Sequence, residues 1–328
     1  MDLAVIILAA GKGERMKSSF PKVLHNVCFR AMIHYPFKAS QKLKPKKTIV
    51  VIGKNGKEIN KRLEGKYEVV FQKEPRGTGD AVLKAEKAIK GFEGNVLVLC
   101  GDAPLITEST LKGLMNHHTK KRADVTILTC DFDNPYGYGR IVRGEKGKLL
   151  KVVEEKDASK KEKQIREINS GTYVFNKKKL FQNLKKIRPN NKQKEYYLTD
   201  IVELFCSKGL LVEAHKASNE KEVKGINTRE ELAEVEKIMR YRINKVFMEK
   251  GVTIIEPFLT FIDPEVKIGK DTIVLPMTYI EGNVKIGERC KIGPSTQILN
   301  SQIGNECEIS CSLIKESKLF NKVNIGPF

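Results

Sequence analysis

Ile268, Val274, Ile280, Ile286, Ile292 and Ile298 recur at a strict six-residue interval. After a one-residue slip Ile303 and Ile309 resume the pattern, and Ile325 follows near the end. Glycine comes directly after several of them, as in Ile286-Gly287, Ile292-Gly293, Ile303-Gly304 and Ile325-Gly326. A period of six is neither the 3.6 of a helix nor the 2 of an ordinary strand. It fits a parallel β-helix whose aliphatic side chains stack inside triangular coils, and residues 262–328 supply about four such coils at three hexads each.

The 225 or so residues before the repeat follow another rule. Short apolar runs at 49–52, 69–71, 96–100, 125–128 and 172–175 read as strands. Between two of them, residues 78–89 place Ala81, Val82, Ala85, Ala88 and Ile89 on one helical face. This alternation predicts an α/β, Rossmann-like, mostly parallel sheet, with ligands at the carboxyl ends of its strands. Thr228 and Glu231 then form a capping box, and Leu232, Val235, Ile238, Met239, Ile243 and Val246 continue at helical spacing until Gly251. The expected organisation is a first domain at 1–227, a linker helix at 228–250 and a partial β-helix at 251–328.

At the amino terminus AVIILAAGKGERM joins a continuously apolar strand at 5–8 to a glycine turn. Gly11 and Gly13 let the backbone bend sharply and leave N–H groups free for phosphate oxygens. A dinucleotide fingerprint would need a third glycine where Met16 stands, and a Walker A loop would need Gly-Lys-Ser/Thr; neither is present. Arg15 and Lys22 set two fixed cations beside the turn, so a nucleoside triphosphate is the ligand it points to. Taken alone, GxG after a strand fits an ordinary tight turn equally well.

The net charge of +20 is unevenly placed: residues 251–328 carry 8 Lys/Arg against 9 Asp/Glu, residues 1–250 carry 52 against 31. The amino-terminal part therefore attracts anions. Its basic runs at 42–47, 120–122, 177–179 and 185–188 lack interleaved aromatics and match no nucleic-acid motif, so they read as solvated faces and no nucleic-acid partner is expected. Seven cysteines show no CxxC pair, and Cys307 and Cys311 sit where the repeat favours small side chains. The apolar start is too short for a membrane span and follows Asp2 rather than a basic segment. A reduced, cytoplasmic protein without a membrane partner is expected.

Nine segments, LAAGKGERM, PKVLH, QKEPRGTGDA, CGDAP, GYGRI, VVEEKDA, EINSGTY, EYYLTDI and VKGINTRE, resemble in order and spacing the sugar-1-phosphate nucleotidyltransferases. The likeness is greatest to those that activate N-acetylglucosamine-1-phosphate, and it covers nearly the whole chain. It implies a left-handed sense for the β-helix, a homotrimer, and transfer of uridylyl from UTP to N-acetylglucosamine-1-phosphate, giving UDP-N-acetylglucosamine and pyrophosphate. Leu8, Ala9, Ala10, Gly11 and Gly13 would cradle the nucleotide; Gln72, Gly77 and Thr78 would read uracil; Cys100, Gly101 and Asp102 would line the substrate site. Gly139, Glu154 and Asn169 would hold the N-acetylglucosamine group, Asp102 and Asn227 would hold Mg²⁺, and Arg15 and Lys22 would be the catalytic cations. Read without the resemblance, Asp102 could begin a turn, Asn227 could open a helix, and residues 195–200 could be a structural corner. One departure is Phe29-Arg30-Ala31-Met32, where relatives carry Gly-Lys-Pro-Met.

Acyltransferases on this repeat resemble one another in using a histidine base, whereas the five histidines here, His25, His34, His117, His118 and His215, all precede it. The acetyltransferase half of bifunctional relatives is therefore expected to be absent or truncated. The chain stops at Phe328 on an uncapped repeat, read as a truncated form or an end covered by oligomerisation. Two alternatives stay open: transfer to glucose-1-phosphate from UTP or dTTP, and a non-catalytic regulatory protein like the translation-initiation exchange-factor subunits that share this pairing of domains.

Overall fold

A computed structural model describes residues 2–11, 13–54, 58–59 and 62–327. The chain divides into two compact units: Met1–His25 with Ala31–Thr228, and Asn26–Arg30 with Arg229–Phe328. Phe328, on which the expectation of an uncapped end rests, lies outside the described residues.

In the first unit the strands run in the order Val212–Lys216, Val125–Asp131, Glu167–Asn176, Asn95–Cys100, Leu3–Ala9, Lys47–Ile52, Glu68–Phe71. All neighbours are parallel except Glu167–Asn176, which is antiparallel to both of its own. Successive strand side chains point to opposite faces. Ala4 and Ile6 thus enter a core with Ala81, Val82, Ala85, Ala88 and Ile89, while Leu3, Val5 and Ile7 enter another with Phe37, Leu111 and Leu114. Burial on both faces explains why these strands are apolar without alternation. The helix expected at 78–89 is regular only over Thr78–Lys84. Beyond it, i→i+3 bonds take over, from Glu86 N–H to Leu83 at 3.1 Å and from Ala88 N–H to Ala85 at 3.1 Å, and the apolar face stays buried.

The second unit opens with the helix Arg229–Glu249. Its buried seam is Val235, Met239, Ile243 and Phe247, at strict i, i+4 spacing, whereas Val246 is 44% exposed. Asn244 is buried beside this seam because its amide donates to the carbonyls of Pro257 at 2.7 Å and Thr260 at 2.9 Å. Three stacks of short parallel strands follow, one per face of the coil. In register they align Ile262, Ile280, Ile298 and Ile314; Ile268, Ile286, Ile303 and Leu319; and Val274, Ile292, Ile309 and Ile325. Ile314 and Leu319 escaped the six-residue count because each lies five residues after its predecessor. Asparagine oxygens bridge successive coils, Asn300 accepting from Asn283 N–H at 3.0 Å, Asn305 from Glu288 N–H at 2.9 Å and Asn321 from Asn305 N–H at 2.8 Å.

Cys28 and Phe29 both adopt positive φ, 43° and 71°, a left-handed backbone that favours glycine over these side chains. Here the strained tip is offset by side-chain ties within the second unit. Cys28 N–H donates to Glu236 Oε2 at 2.7 Å, the Phe29 ring meets Tyr279 edge-on at 4.7 Å, and Arg30 pairs with buried Asp263 at 2.9 Å. All seven cysteines are free thiols. Among the described residues no helix is long and apolar enough to cross a membrane.

Ile292 is fully enclosed, so Ile292→Ala should destabilise the protein by about 3 kcal/mol in denaturant unfolding. Val246→Ala should cost under about 1 kcal/mol, and equal losses would contradict the seam described above.

Candidate active site

Parallel pairing sets the site. Leu8 is in register with Cys100, and Gly101 N–H donates to the Leu8 carbonyl at 2.9 Å. The two strands therefore deliver Ala9, Ala10 and Gly11 from one carboxyl end and Asp102 from the next, side by side. Gly13 takes the left-handed conformation, φ 64°, and a Cβ there would stand 2.7 Å from Cβ of Lys22. Its bare backbone lets the Pro21-Lys22 segment lie against the turn. Gly11 is exposed, and no described atom lies within 4 Å of where its Cβ would be. A single 3₁₀ turn, Glu14–Met16, is pinned by buried Met16 and leaves Arg15 on the wall of the cleft.

The Lys22 side chain is only 12% exposed. Its ammonium donates to the Asp102 carboxylate and, at 3.1 Å, to Asn227 Oδ1. Ile226 N–H donates to the Asp102 carbonyl at 2.9 Å, which delivers Asn227 to this point. Arg15 makes no hydrogen bond or ion pair among the described residues.

A second wall carries Gln72, Gly77 and Thr78. Gln72 Nε2 donates to the Gly77 carbonyl at 3.0 Å and to Asp80 Oδ2 at 2.8 Å. Gly77 has φ 104°, and a Cβ on it would come within 2.5 Å of the Tyr196 carbonyl. Thr78 Oγ1 accepts from Leu198 N–H at 3.0 Å, Gly79 N–H donates to Tyr196 at 2.7 Å, and Tyr196 N–H donates to Arg76 at 2.8 Å. Residues 195–198 are thus bonded to residues 76–79, and Glu195 also reaches the cleft.

The third wall carries Glu154, whose Oε1 accepts from Thr199 Oγ1 at 3.1 Å. Gly139 and Asn169 are paired in register. They lie beside Glu154, whose Oε2 is 3.5 Å from where a Gly139 Cβ would stand.

The cleft between these walls holds about 680 Å³. Fourteen of the sequence-nominated residues line it: Leu8, Ala9, Ala10, Gly11, Gly13, Arg15, Lys22, Gln72, Gly77, Thr78, Cys100, Asp102, Glu154 and Asn227. Gly101, Gly139 and Asn169 are not on its surface. Sequence reasoning missed Tyr136, Gly137, Glu155, Lys156 and Gln193, which also line it. A signal was available in the Gly-Tyr-Gly-Arg run, since Arg140 is buried and holds that loop through the Tyr138 carbonyl and Glu155.

Burial first, then the Asp102 charge, pushes the Cys100 thiol up to about 12, so it remains a thiol at neutral pH. Burial raises the Glu154 carboxyl above its ordinary range. Burial and then the Glu154 charge raise Asp200 to about 6. A carboxyl raised on folding favours the native state while protonated, and that contribution is lost as pH climbs through the folded value. Asp200→Asn should therefore raise the melting temperature at pH 8 relative to its effect at pH 4; a shift independent of pH would show that Asp200 is not a strained carboxylate.

Residues 4–221 match the nucleotidyl transferase family model, and residues 265–300 match the bacterial transferase hexapeptide repeat. The chain is 48% identical over 327 residues to bifunctional protein GlmU of Caldanaerobacter subterraneus subsp. tengcongensis, covering all of this chain and 71% of that protein. It is 48% identical to bifunctional protein GlmU of Pelotomaculum thermopropionicum, with 100% and 72% covered, and 47% identical to that of a Geobacillus species, with 98% and 70% covered. The repeat unit is accordingly a left-handed parallel β-helix of the hexapeptide type. With a glycine turn, two cations and a carboxylate in one cleft, and with this likeness along its whole length, the chain belongs to the nucleotidyl transferase family and is a nucleotidyltransferase akin to the GlmU proteins.

Proposed function

We propose that the protein transfers the uridylyl group of UTP to N-acetylglucosamine-1-phosphate, forming UDP-N-acetylglucosamine and pyrophosphate. The observation that carries this reading is the meeting of Lys22, Asp102 and Asn227 beneath the glycine turn. An oxygen of the sugar phosphate attacks the α-phosphorus, the bond from that phosphorus to the bridging oxygen breaks, and pyrophosphate leaves with the electron pair. The second pKa of a phosphate monoester is about 6, so the attacking oxygen needs no general base. Positioning and charge neutralisation then carry the catalysis.

Backbone N–H groups of the glycine turn hold the triphosphate, and Lys22 and Arg15 neutralise charge that grows toward the leaving group. Gln72, Gly77 and Thr78 receive the uracil. Glu154 meets the sugar, with Gly139 and Asn169 shaping the wall around it. Asp102 and Asn227 suit Mg²⁺, because their oxygens already converge on a cation, the Lys22 ammonium. Among the described residues no group of three or more His, Cys, Asp or Glu is set to hold a metal, so further ligands would come from phosphate and water, as is usual for this ion. Bound there, Mg²⁺ would neutralise triphosphate charge.

No acetyl transfer is assigned to these residues, since none of the five histidines falls in the β-helix. Assembly as a homotrimer through that unit is part of the reading; Leu313 and Phe320 are exposed on it, at 61% and 73%. A stable monomer in sedimentation at micromolar concentration would remove the trimer. The cytoplasm is the proposed location, where both substrates are available.

Pyrophosphate release should require UTP, N-acetylglucosamine-1-phosphate and Mg²⁺ together, with no thiol release from acetyl-CoA in a parallel assay. Faster reaction with glucose-1-phosphate would overturn the sugar assignment. Lys22→Ala should lower turnover on the order of 10²-fold; undiminished release would exclude Lys22 from the chemistry.

A further inference from the structure

We infer that Asp80, which does not line the cleft, selects the base by fixing which end of the Gln72 amide faces the ligand. The inference rests on the reading of the second wall as the base site. Gln72 is buried, and its amide has two N–H donors and one carbonyl acceptor. One neighbour is the Gly77 carbonyl at 3.0 Å and the other is the Asp80 carboxylate at 2.8 Å. Both are acceptors, so the NH₂ end must face them, and both of its hydrogens are used. Oε1 is then the only polar atom of the amide left for a ligand, and it can only accept.

Asp80 is well placed to impose this. It is itself buried, and its other oxygen meets Lys84 Nζ at 3.3 Å on the same short helix. A carboxylate has no hydrogen to offer, so it penalises the reversed amide as a neutral side chain would not. A ligand meeting Gln72 must therefore donate. The imide N–H of uracil or thymine does so, whereas the same ring position of cytosine carries a bare acceptor nitrogen. Two acceptors face to face leave both unpaired, which is how a built hydrogen-bonding site rejects an analogue. Asp80 is thus a positioning residue that acts through Gln72.

The test is the ratio of kcat/KM for UTP over CTP, with N-acetylglucosamine-1-phosphate and Mg²⁺, in the wild type and in Asp80→Asn. An asparagine can donate to Gln72 Oε1 and let the amide turn its NH₂ outward, while the Gly77 carbonyl still opposes the turn. The ratio should fall about tenfold, one hydrogen bond's worth, mainly through a higher KM for UTP with kcat within about twofold. Lys84→Met should leave the ratio unchanged, which separates the carboxylate from its surface partner. Should Asp80→Asn melt below the assay temperature, Asp80→Ser replaces it with the same expected fall. A folded, UTP-active variant with an unaltered ratio overturns the role of Asp80 and leaves uridylyl transfer standing. A wild type that uses CTP as readily as UTP overturns the base-site reading itself.

Discussion

The ammonium of Lys22 ties together parts of the chain 80 and 205 residues away, a carboxylate at the end of one strand and an amide oxygen beside a distant turn. Its position depends on Gly13, because any side chain there would push the Lys22 backbone off the loop. A pair this enclosed, 12% and 24% exposed, gives up hydration that its mutual attraction must offset. It is therefore weak as a stabilising device. Its consequence is electrostatic: the Asp102 charge is paired within the cleft, and a cation is held on the cleft wall beside the glycine turn.

Around that point the walls are made by backbone meeting backbone. Tyr196 and residues 76–79 exchange main-chain hydrogen bonds, and the approach is so close that Gly77 cannot be replaced without moving one strand of chain. The wall of Gln72, Gly77 and Thr78 and the segment beginning at Glu195 are consequently one piece. Main-chain ties of this kind hold a loop in place without long side chains whose entropy must be frozen. Side chains such as Gln72 and Glu154 then need only one or two partners each to keep a fixed direction.

The β-helix works by a simpler rule. Every third short strand stacks on its counterpart in the preceding coil, so aliphatic side chains repeat above one another and asparagines bridge the coils at their backbone N–H groups. Where the spacing shrinks to five, Ile314 and Leu319 still reach their stacks because the missing residue comes out of a corner, not out of a strand.

Much of this was legible in the chain. Apolar periodicity, two-sided for the sheet strands and sixfold for the coils, determined both architectures, because burial acts on each position separately. The sequence also placed Gly11, Gly13, Arg15 and Lys22 together, and they do line one cleft, since their spacing along the chain is local. Tertiary structure alone decided what depends on distant partners. The antiparallel run of Glu167–Asn176, the exposure of Val246, the withdrawal of Gly139 and Asn169 from the cleft surface, and the orientation of Gln72 all follow from neighbours far along the chain. Hydrogen-bond direction and burial are properties of pairs, and no single residue type encodes its partner.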